Sequence, residues 1–225
     1  MNVLKLGFAI FLLVPFLSIS QHSLKKAPVS EGSTVWILNK LVSSPATGIT
    51  ISGKPETVTC KYGKALLFNG TSDGIFLNQM PLEGLEKFTV EIIFCPYSGG
   101  TFEQRYFHCG EVKGSRVLME LRSTPEGWYL DAFVKSGEQF KTLIEPGLIH
   151  PSDQWAHIAF VVDKKKQETY VNGKKELESM IEFAPLHGGK TSVGVRQSET
   201  SWFKGAIYEI RISREALVPS HFLKF

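Results

Sequence analysis

"RVLMELR", residues 116–122, separates cleanly at a period of two. Val117, Met119 and Leu121 fall on one side, and Arg116, Leu118, Glu120 and Arg122 on the other. Successive side chains of a β-strand point to opposite faces, so the stretch reads as a strand with its apolar side against a core. The other side carries two guanidiniums and a carboxylate. It is either an ordinary wet sheet face or the floor of a site.

Working outward, short alternating runs recur along the whole chain. Strands are expected at 35–38, 65–68, 74–77, 88–94, 106–109, 116–122, 128–134, 139–143, 155–163, 168–171, 191–195 and 206–213. Turn residues separate them: Asn69-Gly70, Ser98-Gly99-Gly100, Pro125-Glu126-Gly127 and Gly188-Gly189. Asn172-Gly173 after "ETYV" is a two-residue hairpin signal, because both positions tolerate the positive φ that such a turn requires. Lys164-Lys165-Lys166 reads as a solvated hairpin tip. One short helix is expected at 214–217, stopped by Pro219. Regularly spaced strands without a long helical period predict an all-β, two-sheet antiparallel sandwich in one domain, residues 34–225.

Composition bounds the function classes. The 225 residues are 43% hydrophobic, 12% aromatic and 21% charged, enough apolar material for one sizeable core. The formal charge of +3 is too small to point to nucleic acid or an anionic membrane. Residues 1–20, "MNVLKLGFAIFLLVPFLSIS", place Lys5 before an apolar run that ends in small residues. That is the pattern of a secretory signal peptide; a membrane anchor is the alternative, but Pro15 interrupts a run already short for a span. Residues 21–33 read as a polar leader. The expected location is secreted, periplasmic or cell-surface, with no membrane span after signal removal. Cys60, Cys95 and Cys109 leave at least one thiol unpaired and match neither a disulfide framework nor a metal motif.

Several segments also occur in a familiar order: "KALLFNGTSDGIFL" (64–77), "KFTVEIIF" (87–94), "QWAHIAFVVD" (154–163), "ETYVNGK" (168–174), "SVGVR" (192–196) and "FKGAIYEIRISREAL" (203–217). Together, over about residues 60–217, they resemble the laminin-G-like branch of the concanavalin A-like jelly rolls. The resemblance implies a jelly-roll sandwich. It also implies a lectin-like module, a glycosidase or polysaccharide lyase, or a protein-binding module, since fold alone leaves chemistry open. In "FTVEIIF", Phe88, Val90, Ile92 and Phe94 are expected between the sheets; in "WAHIAFVV", Ile158, Phe160 and Val162 are.

That register collects Glu91, Glu120, Arg122, Asp131 and His157 on outward positions, with Tyr106 and His108 as further members. If these share one concave face, they make a carbohydrate site with Arg196 and Trp202 at the rim. Guanidiniums and carboxylates pair sugar hydroxyls, and an aromatic face stacks on the ring. The ordinary reading is that each charge simply solvates an antiparallel sheet; if the face is instead a binding site, Arg122→Ala should weaken glycan affinity and leave the melting temperature nearly unchanged. Glu120, Glu91, His157 and His108 are the candidates if the face is catalytic, although "MELR" carries a single acid on its strand. No cofactor is indicated with certainty. Calcium at Asp73 in "NGTSDG" is implied by the resemblance alone; one Asp falls short of the six to eight oxygens that calcium takes, and a turn-stabilising role fits as well. Asn69-Gly70-Thr71 is a glycosylation sequon.

Overall fold

The computed structural model describes residues 32–225. The expected signal peptide and all but the last two residues of the leader lie outside the described residues. The strands, in chain order, begin with β1 (Thr34–Ile37), β2 (Ile49–Ser52), β3 (Glu56–Cys60), β4 (Gly63–Asn69) and β5 (Gly74–Leu77). They continue with β6 (Phe88–Pro96), β7 (Glu103–Gly110), β8 (Arg116–Thr124), β9 (Gly127–Ser136) and β10 (Gln139–Ile144). The last five are β11 (Ala156–Val162), β12 (Lys166–Val171), β13 (Lys174–Met180), β14 (Lys190–Val193) and β15 (Lys204–Ser213). A short helix, α1 (Leu38–Ser43), follows β1.

These strands form two antiparallel sheets. The first runs β13-β12-β11-β6-β15-β4-β3, with β1 added on β15; the second runs β10-β9-β8-β7-β14-β5-β2. This is the expected all-β jelly-roll sandwich. The core lies between the sheets, where Phe88, Val90, Ile92 and Phe94 of β6 and Ile158, Phe160 and Val162 of β11 meet Val117, Met119 and Leu121 of β8. Phe94 sits among aromatic rings, with Tyr106 at 5.1 Å and Trp128 at 5.2 Å between centroids. Each fully buried side chain of this kind contributes roughly 1.5–3 kcal/mol, and a one-residue slip would turn the whole set outward. The alternation therefore fixes which residues face away from the core.

Three departures from the expected strands have clear causes. The expected helix at 214–217 is absent: Thr89 Oγ1 donates to the Glu215 carbonyl and accepts from the Leu217 N–H, tying that backbone to β6 rather than to itself. A single 3-10 turn at Pro219–His221 follows it. Strands β2, β3 and β13 lie at the sheet edges and are not among the expected strands: "ITIS" and "ETVTC" alternate over only four and five residues, and "KKELESM" is polar and mostly exposed, since an edge strand buries little. Finally, β7 is bulged against β8 between Arg105 and Phe107. The extra residue sends both Tyr106 and Phe107 into the core and leaves Arg105 and His108 outward. Tyr106 is thus a core residue and not a member of the outer face.

The β12–β13 hairpin turns at Asn172 (φ 50°) and Gly173 (φ 77°), as that dipeptide predicts. The outer face of the first sheet is not wet. Residues 214–225 cross it, burying Phe222 against Ala159, Val161 and Tyr170, with Ala216 and Leu217 packed alongside.

Candidate functional site

The outer face of the second sheet remains open, and strand register lays its side chains in rows. Arg105, Glu120, Asp131 and Ile144 stand side by side on β7, β8, β9 and β10. The next row holds His108, Leu118, Phe133 and Thr142, and the one beyond it Arg116, Lys135 and Phe140. Cβ atoms of directly opposed residues lie about 4.5–5.5 Å apart, so unlike charges in one row necessarily interact.

Those charges form a shared network. Arg105 Nε donates to Glu120 Oε1 at 2.7 Å, and its Nη1 donates to Glu103 Oε2 at 3.0 Å and to the Ser201 hydroxyl. Arg122 Nη1 donates to Glu120 Oε2 at 3.2 Å; its Nη2 reaches Glu103 Oε1 at 3.2 Å and Asp131 Oδ2. Burial pushes the Asp131 carboxyl up to about 6, neighbouring Glu120 adds to the rise, and Arg122 with Arg105 pulls it only partly back. Arg122 bonds three carboxylates at once, which explains why its bond to Asp131 fails to reverse the effect of burial.

Around this network lies a shallow depression of about 220 Å3, lined by the four guanidiniums of Arg105, Arg116, Arg122 and Arg196 and by Leu118, Phe133 and other outward side chains. The Arg116 guanidinium lies over the Phe133 ring at 4.9 Å, and Arg122 lies 5.9 Å from the ring of Phe102. Phe102 is 59% exposed and Phe140 67%. The face therefore offers planar donors, fixed carboxylates and bare aromatic rings, the mixture that sugar recognition uses.

The expected residues divide into two groups. Glu120, Arg122, Asp131 and Arg196 come together at the depression. Glu91 and His157 do not join them: both lie on the other sheet, buried beneath the C-terminal segment. There Glu91 Oε2 accepts from Arg211 Nε at 2.6 Å, while Oε1 accepts from His157 Nε2 at 3.0 Å and from the Leu223 N–H at 2.6 Å. Period-two reading gives the outward side of a strand but not which sheet the strand enters, so one expected face was two.

His108 faces the same way as Glu120 but is fully covered by the loop at 196–199. Its Nδ1 accepts from the Gln197 N–H at 3.3 Å, which places the ring proton on Nε2, 3.2 Å from the Glu111 carbonyl. Burial first, then the charges of Arg196, Arg116 and Arg105, lower its pKa to about 4 against the pull of the Glu111 carbonyl. Trp202 is half-buried against β5: a Cβ at Gly74 would come within 3.3 Å of its ring, and it does not line the depression. Asp73 holds its turn: Oδ1 accepts from the Lys54 N–H at 2.9 Å and Oδ2 from the Asn69 N–H at 3.1 Å, the turn-stabilising role. Among the described residues no cluster of three or more His, Cys, Asp or Glu could hold a metal. No described helix is long and apolar enough to cross a membrane.

The sequence reading missed Arg105, Glu103 and Phe102. Arg105 was hidden by the bulge, and the other two precede the run in which alternation becomes visible. Phe133 and Phe140 could have been found by carrying the parity of Asp131 along β9 and across to β10.

A family model described as the concanavalin A-like lectin/glucanases superfamily, of laminin-G type, matches residues 69–221. The chain belongs to that superfamily. Domain 4 of AbnA, a GH43 extracellular arabinanase from Geobacillus stearothermophilus solved in complex with arabinotriose, is 25% identical with a TM-score of 0.60, over 77% of this chain and 85% of that one. The binding domain of botulinum neurotoxin serotype D (14% identity, TM-score 0.59, 77% of this chain and 44% of that one) shares the fold. So does a heptameric SAP-like pentraxin from Limulus polyphemus, at 18% identity and TM-score 0.56 over 68% of this chain and 76% of that one. The chain thus spans less than half the length of the toxin domains. No curated protein matches it.

Proposed function

We propose that the protein is an exported carbohydrate-binding module that holds a polysaccharide or glycan chain across the outer face of the second sheet. The observation that carries this reading is the open depression itself, in which Arg105, Arg122, Glu120 and Asp131 are tied together by ion pairs, with the half-buried ring of Phe133 in its lining and the exposed ring of Phe102 beside Arg122. Preorganised planar donors lose little entropy on engaging paired hydroxyls, and an exposed ring gains by covering the apolar side of a sugar. The arabinotriose complex of the AbnA domain supports a sugar ligand for this fold. The apolar run of residues 1–20 supports export.

Isothermal titration calorimetry against neutral and acidic polysaccharides tests it, with Phe102→Ala as the diagnostic variant. Phe102 is largely exposed, so its loss leaves the fold intact while removing a stacking surface; glycan affinity should fall by about tenfold. Unchanged affinity in Phe102→Ala together with Arg196→Gln would place binding elsewhere. Absence of heat with every glycan would favour a protein partner instead.

One observation favours a second reading. Asp131, with its carboxyl raised to about 6, stands opposite Glu120, and a carboxyl near neutrality is the usual general acid of a glycosidase. Sustained heat that scales with protein concentration and vanishes in Glu120→Gln would establish turnover. A lyase reading loses support, because both histidines that would serve as its base are covered.

A further inference from the structure

The positive charge lining the depression exceeds the negative charge fixed beside it, and the excess is concentrated on two residues. Arg105 and Arg122 are bonded to carboxylates, and between them they use Glu103, Glu120 and Asp131. Arg116 is not: its Nη1 donates only to the carbonyls of Lys113 and Gly114, at 3.1 and 2.7 Å, and its Nε is buried without a hydrogen-bond partner. Arg196 Nε is likewise buried without one, and no ion pair among the described residues holds that side chain. Both line the same depression, whose carboxylates, Glu120 and Asp131, are already bonded to Arg105 and Arg122.

The positive potential also registers on its neighbours. Burial first, then Arg196, disfavours the charged form of Arg116, with Glu120 partly opposing and Arg105 adding to the effect; all three arginines add to the burial that disfavours a proton on His108. A cluster of guanidiniums with too few carboxylates is costly to assemble in a partly desolvated place, and a ligand that brings the missing charge recovers that cost.

We propose that the site takes an acidic glycan, and that Arg116 and Arg196 receive its anionic substituent while the Arg122 network and Phe102 hold the neutral part of the chain. This rests on the carbohydrate-binding reading of the same face. The anionic group is a planar uronate carboxylate or a sulfate ester. Guanidinium engages either through paired N–H donors, with the fork matching a carboxylate most closely.

The test titrates the full protein with polygalacturonate, with the same polymer after methyl esterification, and with dextran sulfate alongside dextran. Esterification removes charge while keeping the backbone, so polygalacturonate should bind at least about tenfold more tightly than its ester, the equivalent of losing one charge-assisted hydrogen bond. Its affinity should fall with added salt. Arg196→Gln and Arg116→Gln should each abolish the preference for the acid form, so that polygalacturonate and its ester bind each variant equally. Dextran sulfate binding over dextran, lost in the same variants, would identify sulfate as the group. Equal affinity for charged and neutral polymers, with Arg196→Gln silent and Phe102→Ala weakened, would overturn the acidic preference but keep the carbohydrate face. Failure of every acidic polymer to bind overturns the proposal. In that case binding of neutral glycans, sensitive to Phe102→Ala, shows that the face itself survives.

Discussion

Replacing Arg211 by methionine isolates the buried charge cluster beneath the C-terminal segment. Glu91 is fully buried and in the native protein receives the Arg211 guanidinium, His157 Nε2 and the Leu223 N–H. The thioether side chain of Arg211→Met would fill much the same volume but leave the carboxylate without its only cationic partner of permanent charge. Removing one member of a buried ion pair costs about 3–5 kcal/mol. An independent route agrees: the two guanidinium bonds lost from Glu91 are worth about 1.5–3 kcal/mol each. Arg211 Nη2 also donates to the His221 carbonyl at 2.8 Å, so the same change loosens the segment that covers the sheet. For a domain of this size each kcal/mol moves Tm by about 2–4 °C, which puts the expected fall at roughly 6–20 °C. Guanidinium chloride unfolding should show a lower midpoint at unchanged slope. The double variant Arg211→Met/Glu91→Gln removes both charges and should be more stable than Arg211→Met alone. A loss below about 1 kcal/mol in the single variant, or a double variant worse than the single, would refute the view that this pair staples the segment down.

Other consequences can be checked separately. Arg122→Ala leaves Asp131 in a nearly buried row without its guanidinium partner and Glu120 with Arg105 alone, so it should lower stability by about 3–5 kcal/mol in urea unfolding, against the nearly unchanged melting temperature expected from the sequence. His108 has its pKa lowered to about 4 from 6.5, so its contribution is full above pH 6.5 and falls by about 1.4 kcal/mol per unit as pH drops towards 4. Asp131, raised from 3.8 to about 6, acts in the opposite sense: its contribution is full below pH 3.8 and is lost as pH rises through 6. Their slopes oppose between pH 4 and 6, so Asp131→Asn should make the protein more acid-sensitive there and His108→Gln less, as read by Tm against pH. Burial pushes the Cys95 thiol up to about 12 and the Cys109 thiol to about 11. A thiol-specific reagent at about pH 8 should therefore leave both unmodified in the native protein and reach them only after unfolding.

The fold was legible because the buried strands announce themselves. In "FTVEIIF" and "AHIAFVV" one parity holds only apolar residues, most of them bulky, while the other includes Thr89 and Glu91 or His157 and Ala159, so the register has one solution, and "RVLMELR" has one face that must be inward. The edge strands β2, β3 and β13 were not legible, since an exposed edge needs no apolar face. The site was half legible. Glu120, Arg122, Asp131 and Arg196 were found through parity and position, whereas Glu91 and His157 were assigned to a face that belongs to the other sheet. Nothing local distinguishes the outward side of β6 from that of β8; what differs is the C-terminal segment that reaches only the first. Arg105 was lost because a bulge shifts the parity at Tyr106.

Strand β15 has a consequence for how such a chain reaches its native state. It lies between β6 and β4 in the first sheet, and β1 pairs with it as well. Without residues 204–213 the β13-β12-β11-β6 block and the β4-β3 pair have no common partner, and β1 has none at all. The strand that joins the sheet is thus the last in chain order among the described strands. Assembly must wait for contacts spanning most of the sequence, which slows folding and leaves apolar β6 open along one edge in the interim. A chain stopped short of Ser213 holds most of its strands and no complete core, with apolar β6 unpaired along the edge that β15 closes.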